Sequence, residues 1–334
     1  MRNRRSVVKI FLILACFIIG AALLVAVFGL IENKLDKADD DKSSQDGYTW
    51  TDQSGDRLYY ESAWYAPNES IETVLVLGID KSEDASENRQ NSEQVDFLAL
   101  VVFNKEEKSY RILHLNRDTI TDIPQTDAFG EVYGYEKGQL ALSHTYGNDD
   151  KVRCRNTVNT VEKLLYGINI DHYVSMTMDA VAILNDSVGG VTLSLMDDFT
   201  DLDETFVQGA LVTLRGDQAL TYVRARASQE DSSNLHRMER QKQYISALID
   251  KLNGFDLDKN TETMMEVNKY LVSDSTADQL SKWVERIEGY ENKGTFSLEG
   301  EAIKGTQYME YYINEQAAKE LVIEMFYSTL EMES

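Results

Sequence analysis

Thr73-Val74-Leu75-Val76-Leu77-Gly78-Ile79 is a short, continuous apolar run, rich in β-branched residues and followed by a turn. A strand with one wet face alternates apolar and polar residues, whereas an unbroken run reads as a central strand covered on both faces. Phe97 to Phe103 is a second such run, and Tyr110 to Leu115 reads as a third strand. Asn104-Lys105-Glu106-Glu107-Lys108-Ser109 lies between them as a polar turn, so the second and third strands form a hairpin.

Helical patterns follow. Thr157 to Leu165 places Val158, Val161, Leu164 and Leu165 on one face. His172 to Met176 reads as a strand. Asp179 to Val188 reads as a helix, capped by Asp179 and stopped at Gly189-Gly190. Val191 to Leu195 returns as a strand, Asp217 to Tyr222 is a short helix, and Met238 to Leu252 is a longer one. Further helices are expected near Thr261–Leu271, over Thr276–Ile287 and over Asn314–Met332. The expected fold class is therefore α/β, a sheet with helices on both sides. Residues 70–334 form its single domain.

If the first three strands alternate in direction, three polar residues meet at one edge of the sheet. Asp80 follows the first strand, Asp96 precedes the second and Arg117 follows the third. Two carboxylates without a nearby Cys or His make a hard oxygen site of the kind that suits Mg²⁺, with Mn²⁺ as the alternative. The same aspartates also read as an ordinary strand end and a loop cap. A second group is arginine-rich. Arg224 and Arg226 share a face of extended chain, and Arg237, Arg240 and Gln241 share a helix face near its N-terminus. Forked guanidinium groups at a helix start suit phosphate. Ion pairs with Glu230, Asp231 and Glu239 are the alternative.

Composition narrows the field. The 334 residues carry 57 acidic and 33 basic side chains, a net charge of −24, which disfavours nucleic acid as a partner. With 2 cysteines, one of them in an apolar N-terminal run, neither an internal disulfide nor a Cys-based metal site is expected. His114, His144, His172 and His236 lack zinc-type spacing. There is no P-loop and no Gly-x-Ser-x-Gly elbow.

The 22 residues from Ile10 to Ile31 carry no charge, and about 20 apolar residues cross a bilayer as a helix. Arg2, Arg4, Arg5 and Lys9 precede the run and acidic residues follow it. The positive-inside rule then makes residues 1–9 a cytoplasmic tail and 10–31 a single-pass anchor in the cell membrane. Residues 32–69 become an extracytoplasmic stalk, and the domain lies outside.

An ordered set of stretches resembles the LytR–CpsA–Psr family of cell-wall polymer ligases. The stretches are VLVLGID (Val74–Asp80), VDFLALVVFN (Val95–Asn104), ILHLNRDTITDIP (Ile112–Pro124) and SHTYG (Ser143–Gly147). They continue with TVEKLLYGINIDHYV (Thr160–Val174), LNDSVGGVTLSL (Leu184–Leu195), LRGDQALTYVRAR (Leu214–Arg226) and RMERQ (Arg237–Gln241). The resemblance implies a three-layer α/β/α fold around a central mixed sheet, with a polyprenyl-phosphate pocket. It implies Mg²⁺ on Asp80 and Asp96, and pyrophosphate on Arg117, Arg224, Arg226, Arg237, Arg240 and Gln241. Asp118 is then either a general base or an orienter of Arg117, and a purely structural role fits it equally. The implied reaction moves a glycopolymer from a polyprenyl-pyrophosphate-linked donor to a sugar hydroxyl of peptidoglycan. Gln94 stands where the family usually has Arg, Asn234 where it has Asp, and Asn116 where it has Pro. A non-catalytic binder of prenyl-linked glycans and a polyprenyl-pyrophosphate hydrolase are the rival readings.

Overall fold

A computed structural model describes residues 57–79, 93–126, 131–177, 179–225, 240, 243–244, 247–248, 251, 266–305 and 308–330. The expected anchor over residues 10–31 lies outside them. No helix among the described residues is long and apolar enough to cross a membrane.

The chain begins with β1 (Leu58–Tyr60) and β2 (Ala63–Pro67), then β3 (Ile71–Ile79), β4 (Val95–Asn104) and β5 (Ser109–Leu115). A ribbon of β6 (Ile120–Thr126) and β7 (Val132–Gln139) leads through a 3-10 helix, Leu140–Thr145, into α1 (Asp150–Leu164). Next come β8 (His172–Thr177), α2 (Asp179–Ser187), β9 (Val191–Ser194), β10 (Leu211–Leu214) and α3 (Asp217–Arg224). The last part holds β11 (Leu271–Ser273), α4 (Ala277–Gly289), β12 (Glu291–Ser297), β13 (Gly300–Lys304), β14 (Met309–Ile313), α5 (Glu315–Phe326) and β15 (Tyr327–Thr329).

Among the described residues, six strands form the central sheet in the order β11-β8-β3-β4-β5-β12. β4 is antiparallel to β3 and β5, while β8 runs parallel to β3 and β12 parallel to β5, so the sheet is mixed. The apolar runs separate by period two, as continuous hydrophobic strands require. Leu75, Leu77, Leu98, Leu100, Leu113 and Leu115 face one core with Val158 and Val161 of α1 and Val322 and Met325 of α5. Val74, Val76, Ala99, Val101, Phe103 and Ile112 face another with Leu280 and Trp283 of α4. Helices thus cover both faces. A further core, with Leu184, Phe199, Phe206, Tyr222 and Tyr244, joins α2, α3 and the β9–β10 pair.

Several boundaries differ from the sequence reading. α1 begins at Asp150, seven residues before the apolar stripe at Thr157, because Asp149 caps it by accepting from the amides of Lys151 and Val152. Asp179 is the first helical residue of α2 rather than its cap. Leu271 belongs to strand β11, not to a helix, because it pairs with Met176 at the sheet edge. The last helix stops at Phe326, since Tyr327–Thr329 pair with β2. That pairing also makes β1 and β2 part of the folded domain, although residues 32–69 read as a stalk.

Candidate active site

Antiparallel pairing of β3, β4 and β5 brings the end of β3, the start of β4 and the end of β5 to one edge of the sheet. Asp96 and Arg117 meet there as an ion pair, with side chains 11% and 13% exposed. Asp80 follows Ile79 directly in the chain but lies outside the described residues.

Asp96 reaches this position through an irregularity in β4. Gly78 pairs with Phe97, yet Ile79 pairs with Val95, so Asp96 is an extra residue between two regular pairs. Such a bulge re-aims a side chain at the rim of a sheet. In an unbroken strand Asp96 would share the face of Leu98 and Leu100, which is buried core. Val95 occupies that core instead. Gly78 lets the strands approach here, since a Cβ on it would lie 3.0 Å from Phe97 Cβ.

Arg117 is held from several sides. Its Nη2 donates to Gln94 Oε1 at 2.6 Å, and its Nε lies 3.7 Å from Asp118 Oδ1. Gln94, at a position where arginine is expected, therefore serves as an anchor for Arg117. Asn116 shapes the turn that follows β5. Its Oδ1 accepts from the Asp118 amide at 2.9 Å, and its carbonyl accepts from Thr119 Oγ1 at 2.7 Å. A side-chain turn of this kind does the work of the usual proline. Asp118 is itself docked: Gln139 Nε2 donates to its Oδ1 at 3.1 Å, and its carbonyl accepts from the Tyr311 amide at 2.9 Å. These contacts favour an orienting role for Asp118.

A neighbouring network escaped the sequence reading. Arg153, in the first turn of α1, donates to Glu93 Oε1 at 2.7 Å and Asp150 Oδ1 at 3.1 Å. His144 Nδ1 lies 3.0 Å from the Glu93 carbonyl, and its Nε2 lies 3.6 Å from Cys154 Sγ. Burial pushes the Cys154 thiol up to about 12, so it stays protonated and is no nucleophile. The network braces the residues that lead into Asp96. Only the SHTYG stretch hinted at it, because the pairing of Arg153 with Glu93 spans 60 residues.

The arginine group is placed unevenly. Arg224 is the last residue of α3 and therefore helical, not on the extended chain that its spacing with Arg226 predicts. Arg226, Arg237 and Gln241 lie outside the described residues. Arg240 is 1% exposed. Its Nη1 donates to Asp197 Oδ2 at 2.5 Å, its Nε to the Tyr222 carbonyl at 3.4 Å and its Nη2 to the Ala225 carbonyl, and it lies over the Phe199 ring. This guanidinium ties the end of α3 to the loop at Asp197. That differs from the phosphate-facing position expected from the Arg237–Arg240 spacing, because helical spacing fixes a common face but not what the face meets.

The model of the LytR_cpsA_psr family matches residues 30–326. The chain belongs to the LytR_cpsA_psr family. Its relatives include the polyisoprenyl-teichoic acid–peptidoglycan teichoic acid transferase TagT of Bacillus subtilis (strain 168), 30% identical over 75% of this chain and 71% of that protein. The corresponding TagU of Halalkalibacterium halodurans is 31% identical, and that match spans 53% of this chain and about half, 52%, of the relative. A solved structure described as TagT bound to LI-WTA superposes with a TM-score of 0.52 at 26% identity, covering 77% of this chain and 90% of that one. The mixed sheet is thus the fold of the LytR_cpsA_psr family.

Proposed function

We propose that this chain transfers a glycopolymer from a polyprenyl-pyrophosphate-linked donor onto a sugar hydroxyl of peptidoglycan. The observation that carries the reading is the Asp96–Arg117 pair, lifted out of the core by a bulge at the sheet edge. Membership of a family that includes named teichoic acid transferases supports it.

The acceptor hydroxyl attacks the sugar-side phosphorus. A new phosphorus–oxygen bond forms, the pyrophosphate bridge breaks, polyprenyl phosphate leaves, and the hydroxyl proton passes to solvent. Such a transfer depends on positioning and on neutralising charge. Arg117, fixed by Gln94 and Asp118, presents its guanidinium to the transferred phosphoryl group. Arg224, Arg226, Arg237 and Gln241 are assigned to the pyrophosphate, and Arg240 supports them by holding the end of α3. Asp80 and Asp96 are the residues to hold Mg²⁺, or Mn²⁺ as the alternative. The all-oxygen donor set and the emergence of Asp96 from the core fit a hard cation. When bound, the ion offsets the pyrophosphate charge and stabilises the leaving phosphate.

In this reading residues 10–31 anchor the chain in the cell membrane, residues 1–9 are cytoplasmic and the folded domain lies outside. The tether ends before Leu58, where β1 begins.

Product analysis tests the reaction. The full chain is incubated with a lipid-linked wall teichoic acid precursor, with and without peptidoglycan. Release of polyprenyl phosphate that depends on peptidoglycan, with label entering the wall polymer, is the expected result. Equal release without acceptor would make the protein a hydrolase, and donor binding without release would make it a binder.

A further inference from the structure

The β6–β7 ribbon runs directly away from the candidate site. Gln139 joins the two: its Nε2 donates both to Asp118 Oδ1 and to the Met309 carbonyl, at 3.1 and 2.7 Å. In an antiparallel pair, residues directly opposite share a face. Ile120 opposes Gln139, Asp122 opposes Lys137 and Pro124 opposes Tyr135, so Gln139, Lys137, Asp122 and Tyr135 share a face of the ribbon. At about 3.4 Å per residue, that face extends roughly 14 Å from Gln139 to Tyr135.

This face has the composition of a sugar-binding track. It begins with an amide beside the Asp118 carboxylate, continues with a charged pair and ends on an aromatic ring that is 56% exposed. Lys163 of α1 sits 3.7 Å from the centroid of the Tyr135 ring and steadies it. Tyr133, 73% exposed, stands at the bulge beyond. Asp122 serves both Lys137 at 3.2 Å and Lys163 at 3.9 Å. Lys137, whose side chain is 70% exposed, presents its ammonium group on the track in a chain of net charge −24. A protein or lipid partner favours contiguous apolar area. Here an amide, a charged pair and two aromatic rings follow one another along the ribbon, groups that meet the hydroxyls, carboxylates and C–H faces of an acidic glycan.

We infer that this ribbon face binds the acceptor, a carboxylate-bearing, N-acetylated glycan strand, and leads its reacting hydroxyl to the edge occupied by Arg117. The inference deepens the proposed transfer reaction and rests on it for the identity of the glycan. The test uses purified, uncrosslinked peptidoglycan strands and the full chain. Binding is measured directly, and acceptor KM, kcat and donor affinity are measured in the transfer assay.

Tyr133→Ala/Tyr135→Ala is expected to weaken strand binding and raise acceptor KM by roughly tenfold, with kcat and donor affinity unchanged. Tyr135→Phe, which keeps the ring, retains wild-type binding. Tyr133→Ser alters only the most exposed of these side chains and shifts binding in the same direction without a folding effect. Wild-type acceptor affinity in the double variant would overturn the surface while leaving the transfer reaction in place. Ribbon-dependent strand binding by a wild-type chain that transfers nothing would support the surface and remove the enzymatic reading.

Discussion

A guanidinium at 13% exposure and one at 1% respond differently to loss of their partners. Arg117 sits at a rim, where water or a phosphate can replace a lost contact. Arg240 is enclosed by Asp197, Phe199 and the carbonyls of Tyr222 and Ala225. Removing it strands a carboxylate and two carbonyls. Arg240→Ala is expected to cost about 3 kcal/mol, the low end for breaking a buried pair, because Asp197 keeps 22% exposure and can rehydrate. The check is a urea unfolding midpoint at constant m value. A variant of wild-type stability that loses donor affinity would instead make Arg240 a direct phosphate ligand. Arg117 and Asp96 were legible in the sequence as strand-end residues. Arg240 was legible as an arginine on a helix, but its burial depends on Asp197, 43 residues away.

At the scale of elements, the bulge in β4 links fold to chemistry. Gly78 lies across from it, and an added Cβ would crowd Phe97 at 3.0 Å. Gly78→Ala is expected to cost about 1 kcal/mol of stability, a modest overpacking penalty at a site where Phe97 can yield. Its effect on transfer should be much larger, because a shift of β4 re-aims Asp96. Thermal unfolding and the rate of polyprenyl phosphate release, measured on the same sample, separate the two effects. Transfer at the wild-type rate would mean that the bulge geometry does not matter. The strands β3 and β4 were legible from their continuous apolar runs and β5 from its place after a polar turn, and the capping box of Thr276 and Gln279 opens α4 where the pattern placed it. The bulge was not legible, since a one-residue slip leaves the apolar run unchanged. Nor was the β6–β7 ribbon. Its sequences, ITDIPQT and VYGYEKGQ, are polar, glycine-containing and interrupted by Pro124, which a two-stranded edge tolerates.

Across the whole molecule, a net charge of −24 surrounds the site proposed for a pyrophosphate. Local arrangement must therefore overcome the mean field. At the edge of the sheet one guanidinium, Arg117, stands between Gln94, Asp96 and Asp118, so in the proposed reading the remaining positive charge comes from the cation and the arginines assigned to the pyrophosphate. The most direct measurement is single-turnover transfer of labelled glycopolymer to peptidoglycan by the full chain, compared with Asp96→Ala and Arg117→Ala. Each variant is expected to bind the lipid-linked donor yet transfer about 10²–10³-fold more slowly, the loss typical of one transition-state charge contact. Transfer at the wild-type rate in both variants would contradict the assignment of the reaction to this edge.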